Sequence, residues 1–118
     1  MNVAAGTDGL TMARSIESIA LAEAGPSEQA RTLTPPLVEA LWSSGLMQLM
    51  NPQEAGGREP GFAELIDTWV EMARQDGSLG WIGIANLPSA CFAAAYLPDE
   101  GFAEVFTCLL YTSDAADD

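Results

Sequence analysis

The chain has no histidine and no lysine, and only two cysteines among 118 residues. Without histidine these residues hold no Ser-His or Cys-His nucleophile and no imidazole base or metal ligand. Two thiols also fall short of a thiolate zinc site, so no metal is expected. Cys91 lies inside an apolar run and Cys108 near the end, a usage that fits a reduced compartment rather than a disulfide framework. Positive charge is equally scarce: Arg14, Arg31, Arg58 and Arg74 stand against seventeen acids, for a formal net charge of −13. Such a chain repels phosphate backbones and anionic lipid, which argues against nucleic acid as a partner. Residues Met1 to Asp8 carry no basic flank and no apolar core, so no signal peptide is visible and a cytoplasmic location is expected.

What remains is apolar and helical. Hydrophobic residues make up 48% of the chain, too many for a disordered segment and ordinary for a globular one. No alternating strand pattern and no internal repeat is present, so the expected fold is all-α, an up-and-down helical bundle. From Leu10 to Ala24, Ile16, Ile19, Ala20 and Glu23 recur at three- and four-residue spacing. Gly25-Pro26 is expected to interrupt that helix, with Ser27 capping a short continuation. Thr34 as N-cap and Pro35 at the first helical position open the next helix, which Leu37, Ala40 and Leu41 line and Gly45 ends. Gly56-Gly57 and Pro60-Gly61 bracket a loop. Phe62, Leu65, Ile66, Trp69, Val70 and Ala73 then mark one face of a strongly amphipathic helix.

Asp76-Gly77 turns the chain, and Ser78 is expected to cap a helix from Leu79 to about Tyr96. Leu79 to Leu97 contains no charge, close to bilayer-spanning length. Gly80, Gly83, Asn86, Pro88, Ser89 and several alanines dilute its hydrophobicity, and no basic cluster flanks it. The segment therefore reads as the central helix of a bundle, buried nearly all round, and not as a membrane span. That demands a larger core than so short a chain supplies, so the sequence is expected to be part of a larger protein. Pro98-Asp99-Glu100 starts a last helix carrying Phe102, Val105 and Phe106. The expected organisation is a disordered 1–9, one helical domain over 10–107, and an unrelated tail over 108–118. That tail, Cys-Leu-Leu-Tyr-Thr-Ser-Asp-Ala-Ala-Asp-Asp, resembles a translated sequencing-library adapter, which would put the end of genuine sequence near Thr107.

Three segments coincide in order. Leu33 to Met50 is a helix, a glycine and Leu-Met-Gln-Leu-Met, followed by Asn51-Pro52-Gln53-Glu54-Ala55-Gly56-Gly57. This resembles the Pro-Glu-Glu-Tyr-Gly-Gly element of the N-terminal helical domain in the acyl-CoA dehydrogenase superfamily, with Ala55 at the aromatic position. The Phe62 helix, the Asp76-Gly77-Ser78 turn and the apolar helix then follow in that family's order. Asp76-Gly77-Ser78-Leu79-Gly80-Trp81 is most similar to a branch that includes two-component aromatic monooxygenases. In several of those a histidine eight residues after the tryptophan contacts the phenolic substrate; here that position is Ser89.

The resemblance implies a flavin-dependent oxidoreductase, with FAD or FMN held between a middle β-domain and a C-terminal helical domain. The N-terminal helices would wall the pocket for an acyl-CoA thioester or an aromatic substrate. The catalytic base and most flavin contacts would lie beyond Thr107, and the full-length protein would form a homotetramer or homodimer. Trp81 would stack near the flavin or fill the core, and Asn86 and Ser89 would face the substrate pocket or pack between helices. The fragment alone is expected to be inactive. A reading of another class is a stand-alone helical interaction domain whose apolar helix meets a partner.

Overall fold

The computed structural model describes residues 6–107, and no strand occurs among them. The adapter-like tail lies outside the described residues. The fold is all-α. Helix α1 spans Gly9–Ser15, α2 Glu17–Ala30, α3 Pro35–Ser43, α4 Phe62–Gln75, α5 Gly77–Tyr96 and α6 Asp99–Phe102. Short 3₁₀ turns occupy Leu46–Gln48 and Gln53–Ala55, and a wider π-type turn continues α6 through Ala103–Thr107. The main core gathers Met12, Ala13 and Ile16 of α1, Leu37 and Leu41 of α3, Leu46 and Leu49, Leu65 and Met72 of α4, and Leu79 and Leu87 of α5. A smaller cluster of Ala55, Ala94 and Phe106, backed by Leu97 and Phe102, closes the other end.

The first helix starts inside the segment expected to be disordered. Asp8 accepts from the Thr11 N–H at 2.8 Å as its N-cap, and hydrogen bonding from the Thr11 side chain and then its backbone holds the Asp8 carboxyl below its usual range. The break expected at Gly25-Pro26 falls instead at Ile16 (φ −99°, ψ 2°), and α2 runs straight through Pro26. Proline there removes the N–H that would reach the carbonyl of Ala22, and the lost bond falls at an exposed position where the helix tolerates it. Ser27 caps nothing: it is buried, and its hydroxyl accepts from the Thr34 N–H at 3.2 Å, tying the α2–α3 connector. Thr34 does occupy the N-cap position of α3, but without a side-chain cap bond.

Helix α4 buries only part of the face its apolar period marks, Leu65 and in part Trp69, and adds polar residues beside it. Leu65, Thr68, Glu71, Met72 and Gln75 are buried, whereas Phe62, Ile66 and Val70 stay exposed. The polar members bring their own partners. Thr68 Oγ1 donates to the Glu64 carbonyl at 2.6 Å, and Gln75 Nε2 donates to the Ala13 carbonyl of α1 at 2.8 Å and to Glu71 at 3.1 Å. These bonds offset part of the desolvation cost of burying the polar side chains, although Gln75 Oε1 is itself buried without a partner. Arg74 donates to Glu71 at 2.7 and 2.9 Å and also pairs with Glu17 of α2. Glu71 is thereby held down to about 2, first by the Arg74 bonds and next by Gln75, while the Arg74 pKa is raised.

Candidate functional site

The acidic turn between α4 and α5 sets the geometry of the longest helix. Asp76 is extended (φ −162°, ψ 134°), and its Oδ1 accepts from the Ser78 and Leu79 N–H groups at 2.9 and 3.2 Å. Asp76, not Ser78, is therefore the N-cap, and the helix begins at Gly77. Four residues on, a Cβ on Gly80 would lie 2.6 Å from the Cβ and 2.7 Å from the Cα of Ala73. A Cβ on Gly83 would lie 3.1 Å from Met72 Sδ and from Trp69 Cδ1. Glycine at both positions lets α5 approach α4 closely, backbone against side chain.

That contact is narrow. Helix α5 buries Leu79, Gly80, Gly83, Leu87 and Ala94 along one stripe, and it is not buried nearly all round as its composition led us to expect. Its bulky residues point outward: Trp81 is 70% exposed, Phe92 63% and Tyr96 80%, with Ile84 beside them. Phe92 and Tyr96 stack at 6.2 Å between ring centroids. In an antiparallel pair advancing about 100° per residue, the exposed stripes Phe62–Ile66–Val70 and Trp81–Ile84–Phe92 flank the Ala73–Gly80 contact on the same side. Together they form one apolar surface on the side of the hairpin away from α1. By length and composition α5 could also cross a bilayer, with a mean hydropathy of 1.2 over its apolar window.

A groove of about 670 Å³ opens where the C-terminal half of α5 meets the 50–60 loop and α6. Met50, Leu65, Ala94, Ala95 and Phe102 give it apolar walls, Cys91 also lines it, and Glu54, Glu59 and Asp99 supply carboxylates. Its volume falls within the range of small-molecule pockets. The loop wall is fixed by Gly57, where a Cβ would lie 1.8 Å from the Asn51 carbonyl oxygen, and by the Arg58 N–H donating to Leu49 at 3.2 Å. Arg58 itself is committed to Glu64 at 3.0 Å.

The three residues expected at a cofactor or substrate site do not converge. Trp81 lies on the outer apolar surface; Asn86 is exposed about 140° around the helix from it. Ser89 is exposed, and its hydroxyl donates back to the Ala85 carbonyl at 2.7 Å. None of them lines the groove. The groove residues come from the 50–60 loop, α4, α5 and α6, and their only local signal is the small residues Ala93 to Ala95 on one helix. Among the described residues no group of acidic or thiol side chains is arranged to hold a metal ion. In comparisons with family models, curated proteins and solved structures, nothing matches the chain.

Proposed function

We propose that this chain is the N-terminal helical part of a flavin-dependent oxidoreductase of acyl-CoA dehydrogenase type, and that it supplies a wall of the substrate pocket. The observation that supports this reading is the set of large apolar side chains that α4 and α5 leave exposed, among them Phe62, Val70, Trp81 and Phe92. A surface of that kind calls for further protein to cover it. Covered, it would exclude water from a neighbouring reaction centre, which is what flavin chemistry requires of its walls. On this reading Trp81 belongs to the buried boundary with a middle domain, and the flavin, FAD or FMN, is held mostly by residues that follow this segment. The full-length protein is cytoplasmic and oligomeric.

The test is to recover the source DNA beyond Thr107 and purify the longer product. Flavin absorbance that persists through gel filtration is the expected result. An in-frame stop directly after Thr107, or a longer protein that stays colourless with both FAD and FMN supplied, would overturn the proposal. The 118-residue chain alone should bind no flavin and should self-associate through the α4–α5 surface; a soluble monomer would count against that surface as a covered boundary.

A further inference from the structure

We propose that the groove between α5, α6 and the 50–60 loop binds a small amphipathic cation, an alkyl- or arylammonium or a guanidinium carried on an apolar body. The groove is a site of this chain alone, so the inference stands whether or not a flavin is held elsewhere. Its lining includes Leu65 of α4 and Phe102 of α6, and its volume of about 670 Å³ lies in the range of small-molecule pockets. An apolar body entering it would release water from those walls.

Charge then selects among apolar ligands. Glu54, Glu59 and Asp99 all line the groove, and none of them has an ion-pair partner among the described residues. The nearest cation in sequence, Arg58, already spends its guanidinium on Glu64. The other arginines lie on α1, after α2 and on α4, where Arg74 is held by Glu71 and Glu17. Three uncompensated carboxylates at the edge of an apolar groove attract a cation, tolerate a neutral ligand and repel an anion. Occupants of like apolar body should therefore rank in that order.

Cys91 provides the readout, because this half-buried residue belongs to the groove lining. With Cys108→Ser in place, Cys91 is the only thiol of the chain, and its rate of labelling by a maleimide reports groove occupancy. The probes are hexyltrimethylammonium, hexanol and hexanoate, compared at low salt. The cation should slow labelling about fivefold near saturation, in proportion to the occupied fraction. Hexanol should protect only at much higher concentration, and hexanoate not at all. Glu54→Gln, Glu59→Gln and Asp99→Asn combined should weaken protection by the cation about tenfold, because each exposed carboxylate contributes modestly. Their effect on protection by hexanol should be slight. Equal protection by hexanol and the cation, no protection by any probe, or undiminished protection in the triple variant would each overturn the proposal. Where the chain self-associates, Trp81→Gln with Ile84→Gln removes apolar surface outside the groove and carries the same comparison.

Discussion

Gly80→Ala tests the close approach of α4 and α5 with a single methyl group. Helix propensity alone would make the change favourable by about 1 kcal/mol, because alanine loses less backbone entropy than glycine in a helix. The structure opposes that gain. The new Cβ would lie 2.6 Å from Ala73 Cβ and 2.7 Å from Ala73 Cα, neither of which is the free end of a flexible side chain. The helices must separate, at the cost of contacts around Met72 and Trp69. Overpacking of this kind costs about 1–3 kcal/mol, and contact with backbone belongs to the upper half of that range. The net expectation is destabilisation by about 1–2 kcal/mol. The assay is urea unfolding followed by far-ultraviolet circular dichroism, at a dilution where the midpoint no longer depends on protein concentration. Gly77→Ala, in the same helix with nothing within 4 Å of the added carbon, should stay within about 0.5 kcal/mol of the parent. Ala73→Gly removes half of the clash, so the double variant should lie about 1 kcal/mol above the sum of the single changes. If Gly80→Ala gained stability, the tight α4–α5 contact would be refuted.

Asp76→Ala leaves two N–H groups of α5 without their acceptor. It should cost about 1 kcal/mol, a fall in Tm of about 5 °C by thermal circular dichroism; Asp76→Asn should keep most of the parent's stability, and an equal fall for both would remove the cap from the account. Glu71 has its pKa depressed from 4.5 to about 2, so its contribution is complete above pH 4.5 and disappears as pH falls toward 2. The shift sets a ceiling of about 3 kcal/mol, which the 55% exposure of the Arg74 side chain reduces to about 1 kcal/mol. Glu71→Gln should accordingly be less stable at pH 7 and flatten the loss of stability between pH 4.5 and 2, measured by urea midpoints across that window.

The element boundaries that could be read from the sequence are those with local punctuation. Pro35, Gly45 and the Asp76-Gly77 turn delimit their helices as their chemistry requires. Gly25-Pro26 failed as a boundary because its lost hydrogen bond falls at an exposed position, and the break at Ile16 carries no Gly or Pro at all. The buried face of α4 was illegible for a different reason. Thr68 and Gln75 look like surface residues until their partners, the Glu64 and Ala13 carbonyls, are known. Ala13 is more than sixty positions away from Gln75, so no window along the chain contains that information. The groove is less legible still, since Glu54, Leu65, Cys91 and Phe102 meet only through the packing of α4, α5 and α6.

The outward set of α5 is not simply how this chain treats every surface helix. Helix α2 also lies at the periphery, burying only Ala20 and Ser27, and it turns Ser18, Glu28 and Gln29 to solvent with Leu21 as its single large apolar exposure. On α5 the division is by size instead. Gly80 and Gly83 face α4 and, with Leu79, Leu87 and Ala94, make up the buried set, while Trp81, Ile84, Phe92 and Tyr96 are exposed. Small residues on the inner stripe bring two backbones together, and bulky ones on the outer stripe are what a further layer would need to interlock with. No charged residue interrupts that outer stripe between Gly77 and Tyr96, although acids are abundant elsewhere. A helix evolved for water on that side had seventeen carboxylates in the same chain to draw on. Their exclusion from this one surface is the physical ground for treating α4 and α5 as a boundary between layers rather than as an outer edge.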